Sequence, residues 1–174
     1  MSNNKFVLVP VDLLKNLKEL AKGTEYEDEV RKVLDSREAI ENHDITKLPK
    51  SAVVKRVIDG DTVELFNGTV LRYTAITAPE DGESFAEEAT KLNQSLVEGK
   101  EIKLEYDNYT SDKFGRILAY PIINGVNVCV ELVSKGLAEI VIYQKRKPFI
   151  YQPQLLEVQE QARKQKLGIW KNNN

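Results

Sequence analysis

The sequence predicts an α+β chain: a five-stranded β-barrel with three helices over residues 51–170, preceded by a small helical N-terminal extension, residues 1–48. Three observations carry this. The hydrophobic period changes from helical to strand-like on either side of Pro49. The second part holds short β-branched runs interleaved with short helical stretches, where a parallel α/β sheet would need a crossover helix for every strand. Asn-Gly pairs at 67–68 and 124–125 supply the positive φ angles of tight hairpins.

Taken in order, Lys5 to Val9 reads as a short extended piece. Leu13, Leu14, Leu17, Leu20 and Ala21 then fall at helical spacing, and Gly23 follows as a stop. A second helical stretch over 26–41 carries Val30, Val33, Leu34 and Ile40, with acids near its start where they complement the helix dipole. These two helices pack on each other and on the barrel, or dock a protein partner or a second copy. Residues 46–50, with Pro49, read as a linker. Beyond it, strands are expected over 52–58, 62–66 and 69–76, giving a three-strand meander. Residues 84–97 read as a helix, with Ser84 as cap, Glu87 completing a capping box, and Phe85, Ala89, Leu92 and Leu96 facing inward. Strands over 101–106 and 114–122, a short helix from Val128 to Gly136, a strand ending at Tyr143 and a last helix over 153–166 complete the chain before Trp170. A small, partly closed barrel of the OB type matches this order.

Composition excludes more than it selects. With 41% hydrophobic and 30% charged residues in 174, the chain is not disordered throughout. Its one cysteine, Cys129, can form no intrachain disulfide and reads as a buried small hydrophobe beside Val128, Val130 and Leu132. Pro10, Asp12 and Lys15 interrupt the start, leaving no apolar run of leader or membrane length, so a cytoplasmic protein without a membrane partner is expected. The net charge of −2 argues against a nonspecific coat for nucleic acid, but the charge is unevenly spread. From residue 113 onward there are ten Lys and Arg against four Asp and Glu, whereas 59–112 holds thirteen acids against four bases. One stretch could meet phosphates and the other a cation, or both could be solvated faces.

Few residues are available for chemistry. The sole histidine, His43, stands in the extension without a partner motif and reads as an exposed helix-end residue. That leaves no histidine-based nucleophile chemistry, and no Cys/His cluster for zinc. Asp59-Gly60-Asp61-Thr62 places two carboxylates in a tight turn, suited to a hard divalent cation though also ordinary turn composition. Arg72 lies within a strand, Glu80 follows Pro79, and Arg116 closes Asp112-Lys113-Phe114-Gly115-Arg116. An arginine in a β-run is costly to bury unless paired, so Arg72 and Arg116 belong to structural ion pairs or to a site that needs positive charge.

Four blocks then stand in a specific order. They are Val57-Ile58-Asp59-Gly60-Asp61-Thr62-Val63, Leu71-Arg72 through Pro79-Glu80, Asp112 through Tyr120, and 162–170 ending in Leu-Gly-Ile-Trp. Together they resemble the staphylococcal nuclease (thermonuclease) family over residues 53–170. The resemblance implies a calcium-dependent nuclease that hydrolyses phosphodiester bonds of DNA and RNA, single strands above all, with little sequence preference and 3′-phosphate products. It implies Asp61 as a calcium ligand, Glu80 as the group that positions or deprotonates the attacking water, and Arg72 and Arg116 as the grip on the scissile phosphate. Lys113 would meet a terminal phosphate, and Phe114 and Tyr143 would lie against the nucleotide or simply pack on the barrel rim. Stacking on an aromatic ring tolerates any base and contributes roughly 1–3 kcal/mol per base.

Two departures from the family pattern matter. Where active members carry an aspartate as second calcium ligand, this chain has Thr77, whose neutral hydroxyl holds a cation less strongly. The long basic loop after Pro-Glu is shortened here to Asp81-Gly82-Glu83 and is acidic, leaving Asp59 or Asp81 as possible substitutes. The alternative to an enzyme is therefore a weakened or inactive nuclease-like domain that binds nucleic acid or protein. A third reading gives the function to the N-terminal helices.

Overall fold

The computed structural model describes residues 16, 17, 19–28, 30, 31, 34, 48–112, 114–143 and 147–171. The chain divides into two compact units, Met1–Leu48 and Pro49–Asn174. In the first, residues 16–17 and 19–21 are helical, a turn covers 22–26, and 27, 28, 30, 31 and 34 are helical again. The break falls at the glycine: Gly23 has φ +75°, and the Thr24 hydroxyl donates to the Ala21 carbonyl at 2.6 Å. Leu13, Leu14, Val33, Ile40 and His43 lie outside the described residues, as does the extended piece expected over 5–9.

The second unit is a closed barrel. Strands β1 (Ser51–Asp59), β2 (Thr62–Leu65) and β3 (Val70–Tyr73) form the expected antiparallel meander. Two more, β5 (Glu101–Glu105) and β6 (Ile117–Ile123), extend it from the other edge of β1. The ring shuts because β3 also runs parallel to β6, pairing Leu71, Arg72 and Tyr73 with Ile117, Leu118 and Ala119. Short strands β4 (Ile76–Thr77) and β8 (Glu139–Ile140) pair with each other, and β7 (Val126–Asn127) edges β6. Around the ring lie α1 (Ala86–Val97), α2 (Val128–Ser134), α3 (Gln152–Lys164) and a 3-10 turn over Gly168–Trp170. Val54, Val63, Leu71, Ile102 and Ile117 are wholly buried inside, each stabilising the fold by about 1.5–3 kcal/mol relative to exposure. Cys129 is buried as expected. Among the described residues no helix is long and apolar enough to cross a membrane.

Four local expectations change, the simplest being that the strand read as ending at Tyr143 stops at Ile140. The third strand does not run through 69–76: it stops at Tyr73, and Ala75 adopts φ +66° in a turn before β4. Helix α1 has no capping box. Phe85 is its N-cap at φ +69° without a side-chain cap; the Glu83 carbonyl receives the Ala86 amide instead, and Glu87 pairs with Lys91 at 2.5 Å. Its inner face is Ala86, Ala89, Asn93 and Val97, with Leu92 and Leu96 only half-buried. Finally, the strand expected from Phe114 begins at Ile117, because Asp112 holds a turn ahead of it by accepting the amides of Phe114 at 2.8 Å and Arg116 at 3.1 Å.

Because the second unit has its own closed sheet, hairpins and core, a chain starting at Lys50 is expected to unfold in one cooperative transition. Thermal denaturation followed by circular dichroism checks this. A sloping, non-cooperative melt would mean that the first unit completes the core.

Candidate functional site

The site is assembled where β1, β2 and β3 meet the segment 76–80. The turn between β1 and β2 is held from several sides. Its Asp59 carboxylate accepts the Asp61 amide at 3.0 Å, and the Asp59 carbonyl receives Asn93 Nδ2 at 3.0 Å from α1. Asn93 in turn accepts the Tyr73 hydroxyl at 2.6 Å. Gly60 permits this crowding: a Cβ there would stand 2.5 Å from the Ala78 Cβ and 2.8 Å from the Ala89 Cβ. Sequence reading missed Asn93, for a polar residue on a helix's inner face gives no signal of what it will clasp.

Asp61 is thereby carried inside. It is only 4% exposed, and both of its oxygens are engaged. Oδ2 accepts the Ala78 amide at 2.6 Å and pairs with Arg72 Nη2 at 2.9 Å, while Oδ1 accepts the Thr62 hydroxyl at 3.0 Å. Burial pushes the carboxyl up to about 6, against the pull of Arg72 and with Asp59 adding to the rise. Through the Oδ2 contact it answers the charge of Arg72. The arginine is fixed further by Nη1, which donates to the carbonyls of Tyr73 and Ile76 at 2.9 Å each, and by Nη2, 3.4 Å from the Thr77 hydroxyl. Those contacts also explain the early end of β3, since Arg72 folds the 73–76 turn around its own guanidinium.

Arg116 is anchored independently. Its Nε donates to Asp112 Oδ2 at 2.6 Å, and its guanidinium carbon stands 5.4 Å from the centre of the Phe114 ring, a cation–π approach. Both arginines line one open cleft of about 650 Å³, together with Thr77, Phe114 and Tyr143. Phe114 and Tyr143 are 58% and 57% exposed, so neither is closed into the core. The cleft adds Thr74, Tyr109, Ser111, Lys147 and Phe149, which sequence reading did not single out. For Lys147 the basic run 145–147 was the available signal. Lys113 lies outside the described residues.

Three expected members do not line this cleft: Asp61, buried and paired to Arg72, and Glu80 and Asp59. Glu80 is exposed, its amide held by Glu83 Oε2 at 2.8 Å. It lines a second cleft of about 410 Å³ with Phe85, Glu139 and Trp170, and Thr77 borders both. Asp59 braces the turn by accepting the Asp61 amide.

The donor set can be tested against the calcium ion that the resemblance implies. Calcium takes six to eight oxygens, with affinity set largely by carboxylate charge. Asp61 is a single carboxylate whose oxygens already serve Arg72, Ala78 and Thr62, and its neighbour is a neutral hydroxyl. Among the described residues no group of three or more His, Cys, Asp or Glu is placed to hold a metal ion. In this arrangement the residues do not fit a calcium ion.

Comparison with known proteins follows the same blocks. A family model described as staphylococcal nuclease homologue matches residues 70–172. The SPbeta prophage-derived endonuclease YokF of Bacillus subtilis (strain 168) is 34% identical over 129 residues, 68% of this chain and 43% of that protein. Endonuclease YncB of the same organism is 34% identical over 131 residues, 69% of this chain and 61% of its own length. A thermonuclease of Staphylococcus hyicus is 31% identical over 128 residues, 68% of this chain and 75% of that protein. The chain thus spans less than two thirds of the first two relatives.

Proposed function

Because the chain belongs to the family of staphylococcal nuclease homologues, we propose that its second unit binds a DNA or RNA strand along the cleft of Arg72 and Arg116 and hydrolyses its phosphodiester bonds. One observation carries this reading: two arginines, each oriented by its own aspartate, line an open cleft whose rim is aromatic. A phosphodiester under attack gathers negative charge on its equatorial oxygens, and preorganised cations aimed at that charge lower the barrier. Arg72 and Arg116 supply them. Phe114 and Tyr143 are open to stacking with unpaired bases, which favours single strands and little sequence preference. Glu80, exposed beside the edge common to both clefts, is the carboxylate we assign to orienting or deprotonating the water. The products expected are 3′-phosphates.

The test is incubation with a labelled single-stranded DNA and an RNA, with added calcium and then with excess chelator, and analysis of the product ends. Cleavage leaving 3′-phosphates supports the proposal. A second reading, a binding module with a weakened site, is favoured by the commitment of Asp61 to Arg72 and by the place of Glu80 in the neighbouring cleft. Should both substrates stay intact yet bind in a salt-dependent way, that reading replaces the first.

A further inference from the structure

We propose that Asp61 acts in this chain as a positioning residue for Arg72, so that the cleft grips a phosphate backbone without a divalent cation. The inference rests on the reading of the cleft as a strand-binding site. Its starting point is the occupancy of one carboxylate. Oδ2 of Asp61 meets Arg72 Nη2 at 2.9 Å and the Ala78 amide at 2.6 Å, and Oδ1 meets the Thr62 hydroxyl at 3.0 Å. A cation binding Oδ2 would have to displace the guanidinium or share that oxygen with it, and one binding Oδ1 would compete with the Thr62 hydroxyl on the carboxylate that Arg72 already holds. In either case two positive charges would face each other across a few ångströms in a poorly solvated place, a repulsion of several kcal/mol at an effective dielectric of about 20.

The neighbourhood offers little compensation: Asp59, whose charge Asp61 feels, spends its carboxylate on the Asp61 amide. Beside the pair stands Thr77, whose hydroxyl is 3.4 Å from Arg72 Nη2 and adds no negative charge. The backbone is committed as well, for the carbonyls of Tyr73 and Ile76 accept from Arg72 Nη1. One buried anion, one arginine and two carbonyls close on themselves. Asp61 already answers the charge of Arg72 and already fixes the guanidinium. A cation has little left to organise, whereas a phosphate meets the charge and the remaining Nε–H of an arginine that already stands in the cleft.

A single substitution reverses the balance. Thr77→Asp adds a second carboxylate beside Arg72, which gives a calcium ion the charge that the wild type lacks and, with calcium removed, places a repulsive charge against the strand. Two measurements decide the matter on the full-length protein. Calcium titrated calorimetrically into the wild type is expected to give no saturable heat below millimolar concentration, and into Thr77→Asp a saturable one. Anisotropy of a fluorescent single-stranded DNA is expected to give wild-type Kd values in calcium and in chelator that agree within about twofold, whereas chelator weakens Thr77→Asp about tenfold or more, one extra charge contact's worth of affinity.

Micromolar calcium binding by the wild type overturns the inference, and so does a tenfold loss of its strand affinity in chelator. If the wild type binds no oligonucleotide under either condition, the strand-binding reading of the cleft fails and the inference with it. The calorimetry alone then reports whether Asp61 is a metal ligand. Should Thr77→Asp not fold, as circular dichroism would reveal, the wild-type pair of measurements still decides.

Discussion

Gly168→Ala is expected to lower the stability of the barrel unit by about 3–5 kcal/mol, the sum of a left-handed alanine and a backbone clash. The segment after α3 returns across the end of α2, and the two chains touch through their main chains. Gly136 has φ +66° and Gly168 φ +49°. A Cβ on Gly168 would fall 2.0 Å from the Gly136 carbonyl oxygen, and one on Gly136 would fall 2.3 Å from that of Leu167. Neither oxygen belongs to a side chain that can swing away. The approach is locked by the Ile169 amide, which donates to the Gly136 carbonyl at 2.9 Å. Separating the segments would also draw Trp170 out of its site, where it is 7% exposed with the Arg163 guanidinium 4.2 Å from its ring centre. Gly125→Ala is the control, since its φ of +79° carries the same backbone strain but no atom lies within 4 Å of the added carbon; it should cost about 1–2 kcal/mol. Thermal melts of the three proteins measure the difference, about 10–20 °C for Gly168→Ala. Equal losses for the two variants would show that the close approach is unimportant.

That glycine pair marks where sequence reading reached and where it stopped. The Leu-Gly-Ile-Trp ending was recognisable as a block, yet nothing local says that Gly168 faces Gly136, because the contact joins glycines 32 residues apart by backbone alone. The meander, the barrel and its three helices were legible because each rests on local periodicity and turn chemistry. The short elements were not. β4 and β8 have two residues each and exist by pairing with one another, and α1 starts at a left-handed Phe85 although Ser84 and Glu87 offer a capping box. There the tight turn before the helix, with its carbonyl at Glu83, overrode the local preference.

The site divides in the same way. Of the two roles read for Arg72 and Arg116, ion pair or phosphate grip, the structure has the ion pairs, and it sets both residues in the cleft where the grip is proposed. Sequence cannot give the depth of Asp61 or the direction of Glu80. The first follows from the crowding of Gly60 against Ala78 and Ala89, a nonlocal fact, and the second is seen only in the fold, where Glu80 lines the cleft of Phe85 and Trp170.

Arg116→Ala is expected to reduce cleavage about a thousandfold while leaving the fold intact, on the proposed function. The magnitude follows from the kind of interaction lost. Removing one preorganised donor from a developing oxyanion costs about 10²–10³ in rate, and an arginine on a transferring phosphoryl group about 10³–10⁵. Structure should survive, because the Arg116 side chain is 29% exposed and its ion pair with Asp112 lies near the surface, where such pairs contribute about 0–1 kcal/mol. The turn itself persists through Asp112 Oδ1, which accepts backbone amides that the substitution leaves in place. Arg116→Lys separates charge from geometry. Lysine keeps the positive charge but cannot hold Asp112 through Nε while presenting a second donor to phosphate, so a large part of the loss should remain. The measurement is single-turnover cleavage of a labelled oligonucleotide at saturating protein, paired with its binding by anisotropy. A grip that tightens in the transition state predicts that the rate falls far more than the affinity does. If both fall together, Arg116 serves only to hold the strand. If neither falls, hydrolysis takes place elsewhere and the cleft is not the active site.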